Sequence, residues 1–142
     1  MHALVVVAHP NTGSFTHAVA NHIGKGIEDA GSGHSFELAD LTAEGFDPRF
    51  SLGDVAGFDL VTPYPDDVIA EQQRIDRADT LVLVFPIYWW SMPAIMKGWI
   101  DRVFTNGWAY EDIDGEKVIK KLTHLKVHLV AIGGAGLGTF AR

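Results

Sequence analysis

The sequence predicts an α/β fold built on a doubly wound parallel sheet, and three observations carry that prediction. Residues 3–8 and 81–85 are continuous apolar runs and 127–132 is a nearly unbroken one, the pattern of strands covered on both faces. Apolar residues recurring at helical spacing lie between these runs, at Phe15, Val19, His22, Ile23, Gly26 and Ile27 and again from Ile95 to Phe104. Repeated strand–helix units imply parallel strands joined by right-handed crossovers, and 142 residues suit one such domain.

The first strand, Ala3 to Ala8, ends in His9-Pro10-Asn11-Thr12-Gly13-Ser14-Phe15-Thr16. Thr12, Ser14 and Thr16 cluster where a helix begins, and unsatisfied N–H groups with the positive dipole end attract an anion there. The loop lacks both GxGxxG and the P-loop lysine, so a phosphate would be held without a dinucleotide or Walker fingerprint. Ser14 also reads simply as an N-cap. Gly31 to Gly33 closes the helix, and Ser35 to Asp40 reads as an outer strand.

Leu41 to Tyr64 reads as a long loop pinned by Phe46, Phe50, Phe58 and Leu60. Asp66-Asp67 is expected to cap a helix carrying Val68, Ile69, Gln72, Ile75 and Ala78. The central strand, Leu81 to Phe85, runs into Pro86-Ile87-Tyr88-Trp89-Trp90, an aromatic loop. A helix is expected from Ser91 with Pro93 in its first turn, Trp99 and Phe104 in the core, and Lys97 paired with Asp101. Residues 106–115 read as turns, and Lys117 to Lys121 as basic surface. The last strand, Val127 to Ile132, leads into a glycine loop over 133–138 that permits close approach of backbone to a ligand.

In a sheet ordered 2-1-3-4, the three loops after the first, third and fourth strands converge beyond the carboxyl ends of neighbouring strands. A hydroxyl-lined anion cradle beside an aromatic loop and a glycine loop suits a planar aromatic cofactor with a phosphate tail, the shape of flavin mononucleotide. The formal charge of −7 argues against nucleic acid or anionic membrane as partner. Zero cysteines exclude a disulfide scaffold, a thiolate nucleophile and a Cys-ligated metal. Seven histidines show no metal-ligand spacing, and no Ser, His and Asp residues suggest a hydrolytic relay. The N-terminus runs straight into an apolar strand with no basic leader, so a cytoplasmic protein is expected.

The segments AHPNTGSFTHA, AEQQRIDRADTLVLVFPIYWWSMPAIMKGWIDRVF and GWAY resemble the NAD(P)H:quinone oxidoreductases of the flavodoxin-like fold, and the likeness spans nearly the whole chain. The resemblance implies a flavin (FMN or FAD), reduction by NADH or NADPH, two-electron reduction of quinones or similar acceptors, and a homodimer. By position it implies that His9, Asn11, Ser14, Phe15 and Thr16 take the ribityl phosphate. Pro86, Ile87, Tyr88, Trp89 and Trp90 would border the isoalloxazine ring, with the N–H groups of Ile87 to Trp90 facing N5 and the pyrimidine edge. Gly133 and Gly134 complete the cofactor site. Trp90, Trp108 and Tyr110 would contact the acceptor, the last two in a segment that in the family reaches the partner's active site. Where many relatives have Thr-Thr-Gly-Gly, this chain has Ala131-Ile132-Gly133-Gly134. No residue matches the family tyrosine and histidine near the acceptor, so no catalytic acid or base is named.

A homodimer is also expected from the aromatics Trp108, Tyr110, Phe46, Phe50 and Phe58 outside regular elements. A second implied role is that of a flavoprotein regulatory subunit of a potassium efflux system, touching a membrane transporter peripherally. Residues 1–142 are expected to form a single flavodoxin-like flavin-binding domain that lacks its last strand and helices, because only ten residues follow Ile132. Val127 to Ile132 would then be an apolar edge.

Overall fold

A computed structural model describes residues 1–140. In chain order the elements are β1 (His2–Val7), α1 (Phe15–Asp29), β2 (Ser35–Asp40), α2 (Leu52–Phe58), α3 (Asp66–Asp76), β3 (Thr80–Pro86), α4 (Ala94–Val103), β4 (Tyr110–Ile113), β5 (Lys117–Lys120), β6 (Lys126–Ile132) and α5 (Leu137–Phe140). The main sheet runs β2-β1-β3-β6, all parallel, in the expected order, and β4 and β5 form a separate antiparallel hairpin.

The first two apolar runs become the central strands β1 and β3 because both of their faces are buried. Leu4, Val6, Leu81, Leu83 and Phe85 pack against Ile75, Met96, Trp99 and Val103 of α3 and α4. Val5, Val7, Val82 and Val84 face Ala20 of α1, with Val19 and Ile23 at the margin. Close helix–strand approach needs Gly24, since a Cβ there would meet the Phe36 ring at 2.3 Å. Inside the core, Trp99 Nε1 donates to Glu71 at 2.7 Å, and the other oxygen of Glu71 takes Arg74 at 2.9 Å, so the buried polar atoms are paired. Lys97 and Asp101 pair as expected.

Four expectations are corrected. The stretch read as one long loop contains α2, opened by a capping box in which Ser51 Oγ accepts from Asp54 N–H and the Asp54 carboxylate accepts from Ser51 N–H. α3 has Pro65 at its N-cap and no side-chain cap, because the Asp67 carboxylate is drawn towards Arg102. α4 starts at Ala94 with Pro93 as N-cap, since Ser91 is held in a turn with Tyr88. The segment read as turns and basic surface is the β4–β5 hairpin, closed by the three-residue turn Asp114-Gly115-Glu116, in which Asp114 and Gly115 take positive φ of 54° and 70° and Glu116 N–H donates to the Ile113 carbonyl at 3.1 Å.

β6 is the edge strand, and Val127 and Leu129 on its α3/α4 side are 52% and 62% exposed. Among the described residues, no helix is long and apolar enough to cross a membrane.

Candidate functional site

The three ligand-capable loops leave the carboxyl ends of β1, β3 and β6, which are neighbours in the sheet. In the first, Asn11 organises the turn: its N–H donates to His9 Nδ1 at 3.0 Å, its Oδ1 accepts from Gly13 N–H at 2.9 Å and its C=O accepts from Ser14 N–H. Ser14 is the N-cap of α1, accepting from His17 N–H at 3.2 Å. The first helical bond is from Ala18 N–H to Ser14 C=O, so the N–H groups of Phe15 and Thr16 precede the ladder and point out along the axis. Those two amides are open donors that this loop offers an anion, and the Ser14 oxygen lies beside them.

The expected hydroxyl trio is not assembled on one surface. Thr12 is exposed and Ser14 half-buried, but Thr16 is buried, so its side chain faces the interior. The Phe15 ring turns to the flank of α1, where it shares an apolar groove with Ala18, Val19, His22 and Ile23.

The aromatic loop is a tight turn. Tyr88 N–H and Ser91 N–H exchange bonds with the opposite carbonyls at 2.9 and 3.1 Å, and the central residues Trp89 and Trp90 both take positive φ, 49° and 61°. Large side chains rarely adopt this region, at a cost of about 1–2 kcal/mol per residue, and such strain concentrates where a loop has been shaped for a ligand. The turn displays both indoles, Trp89 at 89% and Trp90 at 62% exposure, tilted together with centroids 5.9 Å apart. The expectation that four successive N–H groups face the cofactor is corrected: Ile87 N–H is bound to Ile132 C=O at 2.9 Å and Tyr88 N–H closes the turn. The amides of Trp89 and Trp90 remain for a ligand.

The bond from Ile87 to Ile132 ties this loop to the end of β6, and one crevice is lined by Ile87, Trp89, Trp90, Gly134, Ala135 and Thr139. A Cβ added at Gly134 or Gly136 would meet no protein atom within 4 Å. Gly134 therefore keeps room open towards this crevice rather than relieving a contact within the chain, and Gly136 does the same in the adjoining space lined by Trp90, Gly138 and Thr139. An apolar slot with two indoles on one side, bare backbone on the other and anion donors at the end of the adjacent strand fits a flavin.

Trp108 and Tyr110 are not brought to this crevice within the chain. Trp108 packs on Phe104 with centroids 6.1 Å apart and donates from Nε1 to Asp76 at 2.9 Å, while Tyr110 lines a separate pocket with Phe50, Phe58, Tyr64 and Phe104.

Two polar constellations escaped the sequence reading. Arg102, buried at the end of α4, donates to Asp54, to Asp67 and to the Asp47 carbonyl, and its guanidinium lies 5.3 Å from the Phe46 ring centroid. Burial disfavours its charge, yet the bonds it donates to Asp67 and Asp54 hold its pKa above the ordinary value. Ser51 and Asp54, three apart, were the readable signal for this network. The second joins a Ser, a His and an Asp for which the sequence carried no signal: Ser14 Oγ lies 3.0 Å from His17 Nδ1, and His17 Nε2 lies 2.8 Å from Asp40 Oδ2. No local spacing announces it, because Asp40 reaches His17 through the β1–β2 register that sets Val7 beside Asp40.

Known proteins agree with this geometry. The chain is 34% identical over 125 residues to NAD(P)H dehydrogenase [quinone] 1 of Cavia porcellus, covering 76% of this chain and 44% of that one. It spans about half the length of the curated relatives it matches. Among solved structures, the NAD(P)H:quinone oxidoreductase from Methanothermobacter marburgensis superposes with a TM-score of 0.88 at 31% identity, covering 99% of this chain and 70% of that one. General stress protein 14 from Treponema denticola, solved in complex with FMN, superposes with a TM-score of 0.62 at 28% identity, covering 96% and 64%. A family model described as flavodoxin-like fold matches residues 1–141, and with the parallel β2-β1-β3-β6 sheet behind that match the chain belongs to this family.

Proposed function

We propose that this chain is the flavin-binding domain of an NAD(P)H:quinone oxidoreductase. The observation that carries the reading is the crevice between the strained Trp89-Trp90 turn and the glycine loop, beside the donor-bearing start of α1. Its relatives' names support the same activity. A bound FMN or FAD would supply the two-electron carrier that accepts hydride from NADH or NADPH and passes it to a quinone or similar acceptor.

The chain's own residues then bind and orient. The amides of Phe15 and Thr16 with Ser14 Oγ hold the phosphate, and His9 and Asn11 shape the loop that presents them. The amides of Trp89 and Trp90 face the polar edge of the ring. One such donor is worth about 3–4 kcal/mol towards developing negative charge in a dry site. The two indoles exclude water, with Trp90 next to the acceptor. Gly133 and Gly134 let the backbone approach. Trp108 and Tyr110 lie outside the crevice of their own chain, which suits a homodimer in which they approach the partner's site. The working compartment proposed is the cytoplasm.

The test is direct. Purified protein incubated with FMN or FAD should turn yellow, retain the flavin through gel filtration and oxidise NADH or NADPH only when a simple quinone is present. A protein that stays colourless with both flavins would end this reading.

A further inference from the structure

The Ser14–His17–Asp40 line lies directly beneath the proposed phosphate site. We propose that His17 and Asp40 are positioning residues for that phosphate, and that its binding loads a proton onto His17; this rests on the flavin reading above.

The hydrogen-bond directions can be assigned from the partners. Asp40 Oδ1 accepts from Thr42 N–H and Ala43 N–H, both at 3.1 Å, which leaves Oδ2 for His17 Nε2 at 2.8 Å. A carboxylate only accepts, so Nε2 carries a hydrogen. In the neutral ring Nδ1 is then a bare lone pair, and Ser14, 3.0 Å away, fills it with its single hydroxyl hydrogen. The same oxygen already accepts from His17 N–H. Ser14 thus turns its hydrogen inward and offers an anion only lone pairs.

Adding a proton to His17 reverses one bond. Nδ1–H donates to Ser14 Oγ, and the hydroxyl hydrogen is released to swing outward onto a phosphate oxygen. The charge balance favours the same state. Residues 9–17 contain no Lys or Arg, so imidazoles are the cations this loop can supply itself. Asp40 would otherwise stand behind the anion uncompensated. The remaining groups around His17 do not replace it. His9 meets it edge-on with ring centroids 6.3 Å apart and accepts from Asn11 N–H. Glu44, which accepts from Asp40 N–H, is itself held by Arg74. His17 is only 4% exposed, so a charge there is weakly screened.

An Asp-His-Ser line is also how hydrolases prepare a serine nucleophile. Here Ser14 Oγ is engaged as the cap of α1, which suits it to donate to a bound anion.

The experiment is calorimetric titration with FMN and with riboflavin, which lacks the phosphate, in buffers of differing ionisation heat. Between about pH 7 and 8.5 the FMN phosphate is already a dianion, so proton uptake reports the protein. Wild type should take up a large fraction of one proton per FMN and none per riboflavin, with the FMN Kd rising about tenfold over that range. H17N carries a permanent N–H at the Nδ1 position, and should bind FMN with no uptake and a flat pH profile. In wild type alone, the imidazole nitrogen NMR signals of His17 should move on adding FMN to those of a doubly protonated ring. Equal uptake in wild type and H17N, or a His17 ring that stays neutral with FMN bound, would overturn this inference and leave the flavin site standing. Absence of FMN binding would remove both.

Discussion

Arg102 Nε lies 3.1 Å from each carboxylate oxygen of Asp54, and both side chains are almost wholly removed from solvent. The pair joins α4 to α2, a helix whose two glycines and seven residues could not hold it in place by propensity. Breaking a buried pair by removing one partner costs about 3–5 kcal/mol, because the other charge is stranded. Arg102→Met should therefore lower the urea midpoint by that equivalent, and R102K should lose less, since an ammonium keeps the charge but not the fork that reaches Asp54, Asp67 and the Asp47 carbonyl together. The double variant D54N/R102M should lose less than the sum of its singles. Additive losses would show that the two side chains act independently.

Acid should weaken this region first. The hydrogen bond from Arg102 holds the Asp67 carboxyl below its ordinary value against the opposing effect of burial, and Arg49 holds exposed Asp47 down to about 2. A carboxylate depressed in the folded state stabilises fully above its unfolded value, about 3.9, and that contribution is lost as pH falls through the folded value. Unfolding free energy from urea melts should thus drop between about pH 4 and pH 2, and D67N should flatten part of that drop. An unchanged slope in D67N would refute the assignment.

How much of this could be read from residues alone follows from how local each cause is. β1 and β3 were legible because burial on both faces writes an unbroken apolar run, and β6 was legible from a nearly unbroken one although Val127 and Leu129 stand exposed at the sheet edge; strand–helix alternation made the strands parallel. α2 was hidden by Gly53 and Gly57, although its Ser51–Asp54 capping box was in plain view. The β4–β5 hairpin was hidden by exposed charged strands, although Asp114-Gly115 is a strong turn signal. Within the site, loop positions were readable, but side-chain direction was not: Thr16 faces inward and two of the four amides in the aromatic loop are consumed by the fold. The pairing of His17 with Asp40, 23 residues away, depends on strand register and lies beyond any local pattern.

Glycines separate packing from binding. A Cβ at Gly98 would lie 2.3 Å from the Pro48 carbonyl oxygen, a backbone atom that cannot step aside cheaply. Gly98→Ala should destabilise by about 1–3 kcal/mol or more, as overpacking does. Gly134→Val and Gly136→Val enter open space, so thermal melts of the flavin-free protein should shift by less than about 0.5 kcal/mol equivalent. Their FMN affinity should fall at least tenfold if the crevice holds the ring. Valine variants that keep wild-type affinity would place the ring elsewhere.

Trp89 and Trp90 carry the sharpest test of the crevice, because their backbone and their side chains can be judged apart. Both sit at positive φ, and both indoles are largely exposed, so neither side chain contributes much to the core. Alanine at either position keeps a Cβ in the left-handed region and so keeps the strain, whereas glycine relieves it. W90G should therefore be more stable than W90A by about 1 kcal/mol in urea unfolding, and W89G likewise against W89A. Flavin binding should rank differently. All four variants lose an indole against the ring, which costs roughly 0.5–1.5 kcal/mol beyond the area uncovered, and the glycine variants also lose the rigidity that presents the two amides. The expected order of FMN affinity is wild type above alanine above glycine, the reverse of the stability order between the two replacements. A turn strained for function requires that opposition; if glycine improved stability and flavin affinity together, the positive φ values would be a cost without a purpose at this site.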